Sequence, residues 1–261
     1  MTSQELYQTL SSACVVFIYP MGDMSKVWCG VYISPYQIAT VLHPFTLSGD
    51  VNPRSIQLDL SKVQIIDING NRLTIKKASV MPTGDAVLID VAEKGYFIPP
   101  HPSPREIKKD SLVYCWSYMI SPESPLHGYS PYEEAYRFPY WGLWSLGWWE
   151  GTVDIFGRLS DTGDDFWVEM PSVKGQSGSP FITLDPPQVV GLLHATFSVG
   201  TGTLLDVGKT YLTSIEHISQ AGQVQAAEFV VAQTEGLDKL KYVALGLATG
   251  VALVGLASIG R

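Results

Sequence analysis

The sequence predicts an all-β protein, a barrel or sandwich of many short strands rather than a repeat of βαβ units. Short apolar runs rich in β-branched residues recur along the chain, and glycine, proline and asparagine separate them. The composition agrees, with 24 glycines, 17 prolines, 11% aromatic and 16% charged residues. Such a composition is unlike that of a disordered chain and richer in turns than a helical bundle. The 261 residues suffice for one large domain or two ordinary ones.

The net charge and the cysteines narrow the class of protein further. A formal net charge of −8 argues against a general nucleic-acid binder. The three cysteines, Cys14, Cys29 and Cys115, are widely spaced inside apolar runs, which fits neither a disulfide framework nor a metal site. We therefore expect buried thiols in a reducing compartment and no metal or other cofactor. Residues 1–5 do not lead from a basic into an apolar segment, so no secretory signal is expected.

The first part of the chain, residues 1–98, is predicted to form one β domain behind a short helix. Thr2 to Glu5 fit a capping box, which predicts a helix from Ser3 to about Ser11. Turn signals such as Asn69-Gly70-Asn71 separate the apolar runs that follow. The predicted strands cover residues 14–19, 27–33, 37–42, 55–60, 62–68, 72–80 and 86–91.

A proline-rich linker, residues 99–110, is predicted to connect this domain to a second β domain over residues 111–220. Four prolines stand between Pro99 and Pro104. A final helix is expected to begin near residues 214–217. Strands are predicted at residues 112–118, 151–156, 165–169, 181–184, 189–197, 203–205 and 209–213.

An aromatic insertion, residues 127–149, interrupts the second domain. It holds nine tyrosine, tryptophan and phenylalanine side chains between Tyr129 and Trp149. One interpretation is a long loop or hairpin that buries its own rings. The other is a lid, a substrate wall or a membrane-touching surface, because long loops in compact domains are often functional and Trp and Tyr favour interfaces.

The C-terminal run, residues 242–260, carries no charged side chain. As a helix it would span close to 30 Å, about the thickness of a bilayer core, and Gly246 and Gly250 would share one face. We therefore predict a transmembrane helix behind a juxtamembrane segment, residues 221–241, with the preceding domains on the cytosolic side. A buried or interfacial helix that packs on the protein is the alternative.

Ser177 is the candidate nucleophile, held in the run Gly175-Gln176-Ser177-Gly178-Ser179-Pro180. Such a run makes a tight turn that aims one hydroxyl outward and leaves backbone N–H groups unpaired, although glycine and serine clusters are usually plain surface turns. A base must come from five histidines. The candidates are His43, which ends an apolar strand, where a histidine is more often only packed, and Asp85, which opens another strand and is either an ordinary turn residue or the acid that orients the imidazole.

Three motifs resemble those of chymotrypsin-fold serine proteases. Residues 38–43, Ile-Ala-Thr-Val-Leu-His, are similar to their histidine strand; residues 85–89, Asp-Ala-Val-Leu-Ile, to their aspartate strand; and residues 175–180 to their nucleophile turn. The order His, Asp, Ser also agrees, with spacings of 42 and 92 residues. The resemblance covers residues ~12 to 220 and implies two antiparallel six-stranded barrels with the active site between them. An α/β-hydrolase elbow is disfavoured because Ser179 occupies the place of its last glycine.

The resemblance also assigns roles to individual residues. It implies catalysis by His43, Asp85 and Ser177, and an oxyanion hole from the backbone N–H groups of Gly175 and Ser177. Among its members, glutamyl endopeptidases and viral main proteases carry a pocket histidine and a small hydroxyl residue where His194 and Ser172 stand. These two residues are therefore expected to bind the substrate side chain and to favour cleavage after Gln or Glu.

The sequence thus predicts a membrane-tethered serine endopeptidase that cleaves polypeptides, and processing of viral or other membrane-associated polyproteins would suit it. The competing prediction is a catalytically silent binding or membrane-scaffold module with the same fold, acting through the aromatic insertion.

Overall fold

The protein, described here from a computed structural model, consists mostly of β-strands in two curled antiparallel sheets. The structure describes residues 3–21, 24–46, 55–108, 111–120, 144–156, 165–169, 172, 175–184, 186–196, 210–219, 227–230 and 243–245. The helices are α1 (Ser3–Ala13) and α2 (Glu216–Ser219). The strands are β1 (Cys14–Met21), β2 (Met24–Ser34), β3 (Gln37–Thr40), β4 (Gln64–Ile66), β5 (Arg72–Leu73), β6 (Ile75–Val80), β7 (Val87–Val91), β8 (Leu112–Ile120), β9 (Trp144–Phe156), β10 (Phe166–Glu169), β11 (Pro180–Leu184), β12 (Pro187–Thr196), β13 (Thr210–Ser214), β14 (Ala227–Val230) and β15 (Val243–Leu245).

The N-terminal sheet has the strand order β15-β14-β6-β7-β3-β2-β1-β4-β5. It differs from the six-stranded barrel that the resemblance implied, because β1 to β7 already supply seven strands. The strand predicted over residues 72–80 is divided at Thr74, whose N–H and hydroxyl both donate to the Glu93 carboxylate, at 2.7 and 2.8 Å. The Thr74 N–H is then taken up by a side chain instead of a neighbouring strand, and β5 ends there.

The C-terminal sheet closes into a barrel with the strand order β10-β13-β12-β11-β8-β9. Its six strands are the number that the resemblance implied. Strand β9 begins at Trp144, so the end of the aromatic insertion belongs to a hairpin with β8, in register from Ile120 opposite Trp144 to Leu112 opposite Thr152. The remainder of the insertion, residues 127–143, lies outside the described residues. The mostly-β class predicted from the sequence is confirmed.

Buried apolar side chains form a core within each half and between the two halves. Within the N-terminal sheet, Phe17 stacks on Trp28 with ring centroids 5.2 Å apart. A further buried cluster mixes residues of both halves, among them Cys29 from β2 and Ile182 from β11. Burial of apolar area at ~25 cal/mol per Å² stabilises this junction. The shared core therefore holds the two halves together beside the loops that carry the candidate site residues.

Two segments differ from the expectation. Residues 55–60 were predicted as a strand, but Gln57 and Leu58 donate their N–H groups to Phe45 O, and a 3-10 turn begins at Leu60 with Asp59 as its cap. Both N–H groups converge on one carbonyl, so no strand ladder forms. Of the C-terminal run, only Val243–Leu245 is described, as strand β15, where the sequence predicted a helix. Among the described residues, no helix is long and apolar enough to cross a membrane.

Candidate active site

His43 is held immediately after β3 by a 3-10 turn, His43–Phe45. Two hydrogen bonds close the turn, because Thr46 donates both its N–H and its hydroxyl to His43 O, at 3.2 and 2.8 Å. Phe45 is fully buried, and its ring packs edge-on against Trp28 with centroids 4.9 Å apart. This buried anchor fixes the backbone from which the His43 imidazole projects, and 16% of that side chain stays exposed.

Asp85 is buried beside His43 at the loop that precedes β7. Its Oδ1 accepts the backbone N–H groups of Leu42 and His43, at 2.9 and 2.8 Å. Its Oδ2 lies 2.6 Å from His43 Nδ1. Burial by itself raises the pKa of the Asp85 carboxyl. Hydrogen bonds from the side chains of His194 and His43 lower the pKa by more than burial raises it, so the net pKa lies well below the ordinary value. Asp85 is therefore ionised at neutral pH.

Ser177 lies in a turn between two glycines with left-handed backbone, Gly175 at φ +95° and Gly178 at φ +80°. Ser179 N–H closes the turn on Gln176 O at 2.9 Å, and Cys29 N–H of β2 donates to Ser177 O at 2.7 Å. The second contact joins the turn to the opposite half of the molecule. Within the described part of the chain, the N–H groups of Gly175 and Ser177 donate to no protein acceptor.

The three side chains form one continuous hydrogen-bonded chain. Ser177 Oγ lies 3.0 Å from His43 Nε2, and the other ring nitrogen of His43 meets Asp85. An ionised carboxylate only accepts hydrogen bonds, so His43 Nδ1 carries the proton and Nε2 accepts from the Ser177 hydroxyl. This is the tautomer that a general base for Ser177 needs. The structure brings together the residues that the sequence nominated as His, Asp and Ser.

Alanine at Gly178 is expected to destabilise the protein by more than the cost of a left-handed residue. A Cβ there would stand 2.1 Å from Cys29 O and 2.6 Å from Thr40 Oγ1. At Gly70, whose φ is +82°, a Cβ would meet nothing within 4 Å. Gly70→Ala should thus cost about 1–2 kcal/mol of unfolding free energy, and Gly178→Ala ~1–3 kcal/mol more through overpacking. Urea denaturation of both variants measures the difference, and equal costs would contradict the close approach.

The ionised state of Asp85 predicts how stability depends on pH. Because the folded-state pKa is depressed, its stabilising contribution is present above about pH 3.9, the ordinary aspartate value, and is lost as pH falls through the folded-state pKa. The difference in unfolding free energy between wild type and Asp85→Asn should shrink as the pH falls below about 4. Denaturant titrations at several pH values test this, and a difference that grows as the pH falls below about 4 would contradict it.

The two residues expected to bind the substrate side chain have other contacts in the structure. His194 Nδ1 lies 2.6 Å from Asp85 Oδ2 rather than facing a pocket, so only Nε2 could serve the predicted role. Ser172 is buried, and its Oγ accepts a hydrogen bond from Thr210 at 2.8 Å. A β-bulge explains the placement of His194, since the β12–β13 register shifts between Leu193 and Ala195. Bulges re-aim side chains, and sequence alternation does not reveal them.

His43, Asp85 and His194 are also the described residues whose ligand atoms cluster as a metal site would require, all within 4.8 Å of one another. Two imidazoles and a carboxylate are a donor set that zinc accepts. Both imidazoles, however, lie within hydrogen-bond distance of the same carboxylate oxygen, at 2.6 Å, and a charged acceptor shortens such bonds. Two hydrogen bonds to one carboxylate account for the cluster.

A second histidine–carboxylate chain, which sequence reasoning missed, lies at the same junction. His217 Nε2 of α2 meets Asp165 Oδ2 at 2.7 Å, and its Nδ1 meets Thr83 Oγ1 at 2.9 Å. The ring packs against Gly84, where a Cβ would fall 2.4 Å from it. In the sequence, the one sign of this contact was that Asp165 stands at the start of a predicted strand, where acidic residues are common in turns. The chain joins the loop that precedes Asp85 to the C-terminal barrel.

Comparison with known proteins finds solved structures with a similar fold. No protein-family model and no curated protein sequence matches the chain. The structure is similar to the active form of the Rv3671c protease from M. tuberculosis, at 15% identity and TM-score 0.55, over 83% of this chain and 82% of that one. It is also similar to the HtrA-type protease AlgW bound to a tripeptide, at 11% identity and TM-score 0.55. That match covers 85% of this chain and 63% of the longer AlgW chain.

Proposed function

We propose that this chain, which has the chymotrypsin fold of the proteases it resembles, is a serine endopeptidase. The observation that carries the proposal is the geometry of His43. One ring nitrogen lies 3.0 Å from Ser177 Oγ and the other 2.6 Å from the buried Asp85 carboxylate. A nucleophile, its base and an orienting acid are thereby in hydrogen-bond reach of one another, as acyl transfer through serine requires.

The proposed reaction follows from the proton positions. His43 Nε2 takes the Ser177 proton as Oγ attacks the scissile carbonyl, and Asp85 stabilises the imidazolium that results. The N–H groups of Gly175 and Ser177 would bind the oxyanion. His43 then gives the proton to the leaving amine, which leaves Ser177 acylated. A water molecule, deprotonated by the same imidazole, hydrolyses the ester and restores the hydroxyl.

Labelling with a fluorophosphonate probe tests this proposal directly. The probe phosphonylates a serine oxygen that an adjacent base has activated, with loss of fluoride. We expect one modified site, Ser177, in the wild type and no labelling in Ser177→Ala or His43→Ala. Wild-type protein that is folded by circular dichroism but is not labelled would contradict the endopeptidase. It would favour the binding or scaffold module instead.

The preference for Gln or Glu before the cut bond stays a prediction from the resemblance carried by Ser172 and His194. A hydroxyl and an imidazole can both hydrogen-bond a carboxamide, and a site built for a polar group rejects side chains without one. Mass-spectrometric mapping of cuts in a peptide library, with Ser177→Ala as the inactive control, measures the preference. Cleavage after Lys or Phe with no advantage for Gln or Glu would rule it out.

Attachment to a membrane, a cytosolic location and the processing of viral polyproteins also stay predictions from sequence. Fractionation of the full chain and of residues 1–238 tests the first of these. The full chain should pellet with membranes, and the shortened chain should stay in the soluble fraction. Equal distribution of the two would assign residues 242–260 to packing on the protein.

A further inference from the structure

Asp85 has a second histidine partner that the proposed mechanism does not use. His194 Nδ1 lies 2.6 Å from Asp85 Oδ2, which is the same oxygen, at the same distance, that His43 Nδ1 contacts. The two imidazoles cross nearly at right angles, at 84°, with centroids 5.7 Å apart. His194 is 5% exposed and Asp85 2%. Bulk water therefore competes little for these hydrogen bonds.

The position of His194 ties it to the Ser177 turn. The residue before it, Leu193, accepts Gly178 N–H at 2.8 Å and donates its own N–H to Ser179 O at 2.9 Å. The bulge between Leu193 and Ala195 then directs the next side chain out of the ladder. His194 thus extends from the strand that holds the nucleophile turn to the acid on the opposite half of the molecule.

The proton on the bond between His194 and Asp85 belongs to the histidine. Asp85 is ionised and can only accept, so His194 Nδ1 donates. With the N–H groups of Leu42 and His43 on Oδ1, the carboxylate receives four hydrogen bonds. Such a carboxylate has no freedom to rotate. Its Oδ2 also divides its negative charge between two imidazoles instead of directing it to one.

We propose that His194 is a positioning residue of the reaction, which fixes the Asp85 carboxylate and limits how strongly that carboxylate holds the His43 proton. The inference rests on the proposed function and gives His194 Nδ1 a role beside the triad, whereas the predicted contact with the substrate side chain would involve Nε2. The hydrogen bond from His194 is also a leading cause of the lowered pKa of Asp85.

Two substitutions separate the hydrogen bond from the volume of the ring. His194→Leu fills the space without a donor, whereas the side-chain amide of His194→Asn places an N–H near the position of Nδ1. For His194→Leu we expect kcat to fall about 10- to 100-fold, ~1.4–2.7 kcal/mol at 1.36 kcal/mol per factor of ten, with KM changed less than about twofold. The acidic limb of the kcat/KM profile should move to higher pH, because Asp85 then binds the His43 proton more tightly. His194→Asn should restore both.

His217→Leu is the matched control, because it removes another buried histidine–carboxylate hydrogen bond at the same junction between the two halves. Among the described residues, the titratable groups hydrogen-bonded to Asp85 are His43 and His194, whereas His217 packs against the loop before Asp85 and bonds Asp165. His217→Leu should lower stability without moving the acidic limb. An acidic limb of His194→Leu that coincides with that of the wild type would overturn the inference, as would a His194→Asn variant that behaves like His194→Leu.

A readout without turnover separates this inference from the proposed function. The ring nitrogens of His43 can be titrated by NMR in Ser177→Ala, with and without His194→Leu, and the midpoint should rise when His194 is replaced. If the wild type does not react with the fluorophosphonate and the midpoint still rises, the endopeptidase is wrong and the coupling of the two histidines holds. An unchanged midpoint overturns the coupling, whether or not the wild type is labelled.

Discussion

Replacing Ser177 by alanine is expected to lower kcat about 10⁶-fold, because residues that act as a unit lose nearly the whole chemical contribution when one is removed. The alanine has no oxygen to attack the carbonyl, and His43 Nε2 loses the partner that stands 3.0 Å away. His43→Ala should cost a similar factor, since the hydroxyl then keeps its proton. The double variant should be no worse than either single one. Rates on a fluorogenic peptide, normalised to folded protein, measure all three.

Ser179→Ala is the matched control for this prediction. Ser179 stands two residues along the same turn, but its hydroxyl meets that of Ser117 inside the C-terminal barrel and not the His43 ring. Labelling at Ser177 should persist in this variant. Peptide hydrolysis that survives Ser177→Ala at the wild-type rate would place the activity elsewhere and contradict the proposal.

Asp85→Asn is expected to lower kcat about 10⁴-fold while leaving the backbone almost unchanged. The amide oxygen can still accept the N–H groups of Leu42 and His43, so the amino group must replace Oδ2. That amino group donates, and it would face the Nδ1 atoms of His43 and His194. Each ring must then move its proton to Nε2. A His43 with Nε2–H cannot accept the proton of Ser177, and the base is lost.

Asp90→Asn serves as the control, since Asp90 lies on β7, the strand that follows Asp85, and accepts a hydrogen bond from Gln37 at 3.0 Å, away from the triad. Its kcat should stay close to the wild-type value, because Asp90 bonds Gln37 and not a triad side chain. An Asp85→Asn enzyme with the wild-type rate and pH profile would show that the carboxylate does not orient His43.

The local features of this protein are determined by its sequence. Apolar runs between glycine, proline and asparagine turns predicted β2, β3 and β7 to within a few residues, because strand formation and turn chemistry depend on neighbouring side chains. The order of His43, Asp85 and Ser177 predicted that they would meet, and the structure places them in one hydrogen-bonded chain. Each of these residues carries its signal within about six positions of itself.

Features that depend on distant partners were decided by the tertiary structure alone. His194 was expected to bind the substrate side chain, and its contact with Asp85, 109 residues away along the chain, depends on the bulge in β12. Residues 55–60 have the sequence pattern of a strand, but two of their N–H groups donate to Phe45 O instead of to a neighbouring strand. The contact between His217 and Asp165 likewise joins distant segments, and it depends on the packing of α2 against the loop before Asp85. Bulges and buried histidine–carboxylate contacts arise from packing between distant segments, so no local pattern specifies them.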